Sequence, residues 1–201
     1  MRKQMIALLG GTATVVAVVA MSAAPALAAT WTVKNGGTDL VANQSGSSTL
    51  KDTSSGDSLT CTGGAGDITI ANGTGLSGTD LGQLSGVTFN GCTGPFGISF
   101  SVSTTGTWEV NAAAYANPTT TGTITNVDAS ISGPLCSGTV TGTVDASYNS
   151  TTGTLTVSPD GSLLKVSTGA SCLGVISGGD TVDYNGKDVL ANTPFVDITS
   201  P

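Results

Sequence analysis

Asp180, Asp183, Asn185 and Asp188 crowd oxygen donors into one short stretch around Gly186. Hard cations prefer oxygen ligands, so the chemistry this pattern offers is calcium binding. The spacing departs from the EF-hand loop and lacks its closing bidentate Glu. Asp, Asn and Gly are also ordinary turn residues, so the expectation is a plain turn with no metal and no cofactor assigned. Paired carboxylates about 5 to 10 Å apart could instead hydrolyse glycosidic bonds. Twelve aspartates make such pairs easy to form by accident, and aromatic platforms for a sugar are sparse.

Other catalytic devices are under-supplied. The chain has no histidine, its one arginine is Arg2, and its only glutamate is Glu109. A base poised near neutral pH and a planar clamp for phosphate or carboxylate are therefore both missing. A serine nucleophile would need lysine as its base, and the expectation is that none of the four lysines Lys34, Lys51, Lys165 and Lys187 stands in an S-x-x-K pattern. Asp52-Thr53-Ser54 and Asp180-Thr181-Val182 depart from the D-T-G and D-S-G contexts of aspartic proteases. Gly73, Gly75 and Gly78 match G-x-G-x-x-G, but no helix pattern follows them, so they read as a turn. Asn43, Asn72 and Asn149 head N-x-S/T triplets of the sort that arise readily in a Ser/Thr-rich chain.

Residues 1–28 carry the basic Arg2 and Lys3, an apolar run from Met5 to Ala20 and the small residues Ala26, Leu27 and Ala28, the pattern of a cleavable secretory signal. No cysteine for lipid attachment, no paired arginines and no apolar tail accompany it. The expectation is a single secreted domain over 29–201, extracellular or cell-wall associated, with no membrane span. Once Arg2 and Lys3 are removed, four lysines (Lys34, Lys51, Lys165 and Lys187) stand against thirteen acids, a net charge of −9. Nucleic acid and anionic membranes are excluded as partners on that balance, leaving the cell envelope or another protein.

The elements follow from alternation. Over 139–148, Val140, Gly142, Val144, Ala146 and Tyr148 share one parity and Thr139, Thr141, Thr143, Asp145 and Ser147 the other, the period of a half-buried strand. A turn at 149–153, a strand with Leu155 and Val157, a break at Pro159, Asp160 and Gly161 and a strand with Leu164 and Val166 predict a three-stranded meander. A second hairpin is predicted between 98–102 and 108–114 across a turn at 103–106, with Glu109 on the outward parity. Shorter strands are predicted at 30–33, 67–70, 87–89, 124–131, 174–176 and 180–184. No helical period stands out. The fold expected is all-β, an antiparallel β-sandwich or barrel-like meander with two disulfides, with a parallel β-helix as the alternative.

Cys61, Cys92, Cys136 and Cys172 admit three pairings. Nearest neighbours are the default in a meander, which favours Cys61 with Cys92 and Cys136 with Cys172. A zinc site would need closely spaced Cys or His pairs, which are absent. The Ala-rich signal, Gly133-Pro134-Leu135-Cys136-Ser137-Gly138, Ser171-Cys172-Leu173-Gly174 and the ending Ile198 to Pro201 resemble small secreted, disulfide-bonded all-β proteins of high-GC Gram-positive bacteria. The resemblance implies a compartment and a fold class and no functional residue. By elimination, composition points first to a non-enzymatic structural, envelope-associated or interaction protein. A second reading is a binder of a small apolar ligand or glycan, using the sheet interior or an aromatic patch with Trp108 and Tyr115. A third is a carboxylate-dependent cell-wall hydrolase.

Overall fold

The computed structural model describes residues 30–134, 136–159, 163–172 and 176–201. The signal segment, Asp160 and Gly161, and most of the strand expected at 174–176 lie outside them. The first strands are β1 (Trp31–Lys34), β2 (Gly37–Gln44), β3 (Ser48–Asp52), β4 (Ser58–Cys61), β5 (Gly63–Ile70) and β6 (Gly73–Leu76). Then come β7 (Gly82–Asn90), β8 (Cys92–Thr93), β9 (Ser99–Thr104), β10 (Trp108–Ala116), β11 (Thr119–Gly133) and β12 (Cys136–Asn149). The last are β13 (Thr154–Val157), β14 (Leu164–Val166), β15 (Ser171–Cys172), β16 (Ile176–Ser177), β17 (Thr181–Leu190) and β18 (Asp197–Thr199). The described chain is all-β, and every strand pairing in it is antiparallel, which removes the parallel β-helix.

The larger sheet closes on itself. One circuit of pairings runs β10, β11, β12, β13, β17, β2, β5, β7 and back to β10. A second, stacked on it, runs β9, β11, β12, β14, β17, β3, β4, β8 and back to β9. Three long strands, β11, β12 and β17, pass through both circuits. The remaining walls are pairs of sequence neighbours lying end to end: β2 with β3, β4 with β5, β7 with β8, β9 with β10, and β13 with β14. The result is an up-and-down barrel of eight walls in chain order.

This corrects two expectations. β9 and β10 do not form a hairpin; both pair with β11, β9 through Val102↔Ile131 and β10 through Val110↔Ile124, so they are one wall with a kink at 105–107. β14 likewise does not pair with β13. It continues β13 along β12 and β17, through Val140↔Val166 and Leu164↔Val182. Pro159 lacks the N–H that a ladder needs, and β13 ends two residues before it. The signals read as turns are interruptions within longer strands. A third correction concerns Gly73 and Gly75, which lie in strand β6, paired with β1.

The interruptions adjoin one another across most neighbouring walls. They comprise residues 45–47, Thr62, Gly91, 105–107 and the break between Val157 and Leu164, together with a register shift between Ile124 and Val127 against Gly142. At that shift Asn126 has φ 59° and Gly142 φ 143°, and a Cβ on Gly142 would strike the Leu163 carbonyl. An extra residue in one strand bends the ladder and re-aims its side chains. The 149–153 turn is as expected, with the Asn149 carboxamide oxygen accepting from the amides of Thr151 and Thr152 at 3.0 and 3.1 Å.

Inward residues of the walls, among them Trp108, Ile124, Val140, Val144, Leu164 and Val182, form the main core. A three-stranded sheet, β18-β1-β6, covers one end of the barrel. Its Trp31, Val33, Val196 and Ile198 pack on Leu40, Ile70 and Leu190. The Tyr148 hydroxyl donates to the Val196 carbonyl at 3.0 Å, and Thr120 donates to the Ile198 carbonyl at 3.1 Å. Outward positions carry Thr121, Thr123, Asp128, Thr141, Asp145, Thr156 and Lys187. Apolar inside and polar outside is the reverse of a membrane barrel. No helix among the described residues is long and apolar enough to cross a membrane.

Both nearest-neighbour disulfides are present, Cys61–Cys92 and Cys136–Cys172, and no described cysteine is free. Each ties adjacent strands, β4 to β8 and β12 to β15, and the first bridge lies beside the interruptions at Thr62 and Gly91, with Cys61 on the wall of the interior. The loops they close span 31 and 36 residues. In the chain-entropy account each such link stabilises by about 3 to 4 kcal/mol. The double variant Cys136→Ala/Cys172→Ala is predicted to lose about that much unfolding free energy in urea titration, while an unchanged midpoint would show that the bridge leaves the unfolded chain unconstrained.

Candidate functional site

The barrel interior is not completely filled. Beside the kinks it holds a cavity of about 100 Å³, walled by Trp108, Ile124, Val127, Val144, Leu155 and Leu164 among other apolar residues. Small side chains stand on inward positions of its wall, Ala42 on β2 and Ala129 on β11. Eight walls enclose an interior just wide enough to be packed by side chains or to hold one small molecule.

One polar cluster lines this cavity, formed by Gln44, Ser48, Tyr184 and Asp188. Strand alternation places it. On β17, Val182, Tyr184, Gly186 and Asp188 share the inward parity, and Asp188 lies directly opposite Gln44 of β2. The Tyr184 ring folds back over Gly186, where an added Cβ would come within 2.6 Å of the phenol oxygen. Glycine here makes room for the ring. Phe89 meets Tyr184 edge to face, with centroids 6.1 Å apart and planes at 79°.

The donors of this cluster are already engaged. Gln44 Nε2 donates to the carbonyls of Gly46 and Cys61, each at 2.9 Å, and its Oε1 accepts from Ser48 Oγ at 3.4 Å. Ser48 in turn hydrogen-bonds the Tyr184 hydroxyl. Burial, with the Asp188 charge as a smaller contribution, pushes the Tyr184 pKa up to about 12. Among the described residues no donor reaches the Asp188 carboxylate, and burial alone raises its pKa above the usual carboxylate value. Asp188 is the one formally charged residue among those lining the cavity.

The four residues singled out for calcium do not converge. Asp183 and Asn185 point outward from β17, Asp188 points inward, and Asp180 precedes the strand and accepts from the Ser177 amide at 2.7 Å. The stretch is strand rather than turn, and among the described residues no group of three or more His, Cys, Asp or Glu side chains is placed to hold a metal. Asp52, fully buried, uses Oδ1 to accept from Ser54 N, Ser54 Oγ and Ser55 N at 2.6, 2.6 and 2.9 Å. Desolvation works against its charge, but these hydrogen bonds prevail and its pKa is lowered. Asp180 is its neighbour. The pair lies where β3 ends, outside the cavity.

Glu109 is on the outer wall, accepting from Thr125 Oγ1 at 3.3 Å. Ser48-Thr49-Leu50-Lys51 and Ser162-Leu163-Leu164-Lys165 both read S-x-x-K, contrary to the expectation that no serine and lysine stand in that relation. In the first, strand geometry separates them, with Ser48 buried inside the barrel and Lys51 exposed outside; Ser162 lies outside the described residues. Trp108 and Tyr115 form no common patch, since Trp108 lines the cavity and Tyr115 packs beneath the covering sheet. A second, open depression on the outer wall is lined by Thr119, Ser147, Asn149, Thr152, Thr154, Thr156 and Lys187, with no aromatic surface for a sugar ring. No family model, curated protein or solved structure matches the chain.

Because the folded-state pKa of Asp188 is raised, the folded protein binds that proton more tightly than the unfolded chain. The stability this contributes is fully present below the ordinary value of 3.8 and is lost as pH rises through the raised value. Asp188→Asn is therefore predicted to raise Tm at pH 7, with the gain disappearing near pH 4. A gain of equal size at both pH values, or none, in differential scanning calorimetry would contradict this placement of the carboxyl.

Proposed function

We propose that the protein is an exported carrier or receptor that takes a small, mainly apolar molecule into its barrel interior. The observation that carries this reading is the apolar cavity of about 100 Å³ with a single polar cluster on its wall. A cavity of this size suits a molecule of about six non-hydrogen atoms or fewer, given that a dry cavity of about 150 Å³ accepts benzene. An apolar pocket with a few convergent polar groups is the usual anatomy of a small-molecule site. Export is supported by the signal pattern over 1–28 and by two disulfides, which persist in oxidising compartments.

A purely structural module would have no use for an unfilled interior, because each void forfeits dispersion contacts and stability. The hydrolase reading needs two facing carboxylates in a groove, and among the described residues Asp188 is the one carboxylate on the cavity wall. Ala129 lies on the cavity wall, on the inward parity with Val127 and Ile131. Ala129→Leu is predicted to fill the space, raising stability by about 1 kcal/mol and abolishing the saturable shift of the Trp108 indole resonance that benzene produces in the wild-type chain. A wild-type chain that takes up no benzene at millimolar concentration, or a variant that takes it up as well, would contradict the reading.

A further inference from the structure

The wall of the cavity is chemically one-sided. Gln44 has spent both amide hydrogens on the carbonyls of Gly46 and Cys61, and Ser48 has spent its hydrogen on Gln44. That leaves the Tyr184 hydroxyl to donate to Ser48. Asp188 is then an acceptor with no donor in reach among the described residues. It faces a space walled by Trp108, Phe89, Tyr184, Leu155 and Val157. The lysines cannot neutralise it from within: Lys51 and Lys187 point outward from the walls that carry them, Lys165 is exposed on β14, and Lys34 is exposed on β1 of the covering sheet. An uncompensated carboxylate in apolar surroundings is costly, and proteins retain such a group where something else completes it.

We propose that the occupant is a small alkylammonium, with its charged nitrogen on Asp188 and its few carbons in the apolar part of the cavity. This rests on the reading of the interior as a ligand site and adds the chemical class of the ligand. An ammonium supplies the hydrogen-bond donors and the positive charge that the wall lacks. The faces of Trp108, Tyr184 and Phe89 favour a cation over a neutral head group. The size also fits, since the head and a four-carbon tail make five non-hydrogen atoms. The acidity of the chain as a whole concentrates cations around it and disfavours an anionic ligand.

The test is isothermal titration of the full secreted chain, both disulfides intact, at pH 7.5 with n-butylamine, 1-butanol, n-butyrate and benzene. Butylamine is expected to bind at least tenfold more tightly than butanol, and butyrate not to bind. Asp188→Asn is expected to weaken butylamine at least tenfold while leaving butanol within twofold, which also shows that the variant is folded with its cavity intact. Butanol matching butylamine in the wild type, or Asp188→Asn leaving butylamine unchanged, would overturn the ammonium assignment while the cavity reading stands. Failure of amine, alcohol and benzene alike would overturn both.

Discussion

Closure of the antiparallel ladder is the constraint from which the rest of this structure follows. β17 pairs with β2 through Asp188↔Gln44 and with β3 through Val182↔Asp52, joining the last wall of the meander to the first. Once the ladder closes, no edge strand of the barrel remains open, and the alternation of each strand acquires a single meaning: one parity faces a shared interior, the other faces water. A chain with nine aromatics can then bury Val, Ile and Leu from every wall against one another. One disulfide ties β4 to β8 beside the cavity, the other ties β12 to β15, and the β18-β1-β6 sheet covers one end.

The belt of interruptions turns that closed ladder into a container. Each wall is kinked, bulged or thinned to glycine along its length, and residues flanking these interruptions, among them Gln44, Ser48, Cys61, Val127 and Leu164, line the cavity. Kinks relax the pleat and re-aim neighbouring side chains, and small residues such as Ala42, Gly66 and Ala129 face the space they leave. Gly186 serves the same end, because its missing side chain lets Tyr184 lie along β17 toward Asp188. Geometry and electrostatics meet at one point, where the only charge that the described residues bring to the cavity wall stands opposite Gln44, with no donor to it among those residues.

Much of this was legible in the residues. The two-residue period of 139–148 identified β12 with its inward Val140 and Val144, and sequence proximity identified both disulfides. Glu109 was read correctly as a solvated strand residue from its place beside Trp108. Connectivity within the walls was less legible, because a Gly- or Pro-bearing interruption looks the same in sequence whether the chain reverses or merely kinks. Pro159 and Gly106 were read as reversals for that reason. The strands β2 and β3 are hidden in the sequence because their inward residues include Gln44, Ser48 and Asp52, polar side chains that break the apolar alternation. Those same interruptions of pattern mark the polar cluster, and so does Asp188, which shares its parity with Val182 and Tyr184. A carboxylate on the apolar parity of a strand was the signal that could have located the site.

The most direct test of closure is the nuclear Overhauser pattern between β17 and the first wall, read with amide exchange. Cross-strand contacts at Asp188–Gln44, Tyr184–Leu50 and Val182–Asp52, with slowly exchanging amides along β2 and β3, are the predicted result. Absence of those contacts, with the amides of β2 and β3 exchanging as rapidly as an open edge, would show an unclosed sheet and no interior.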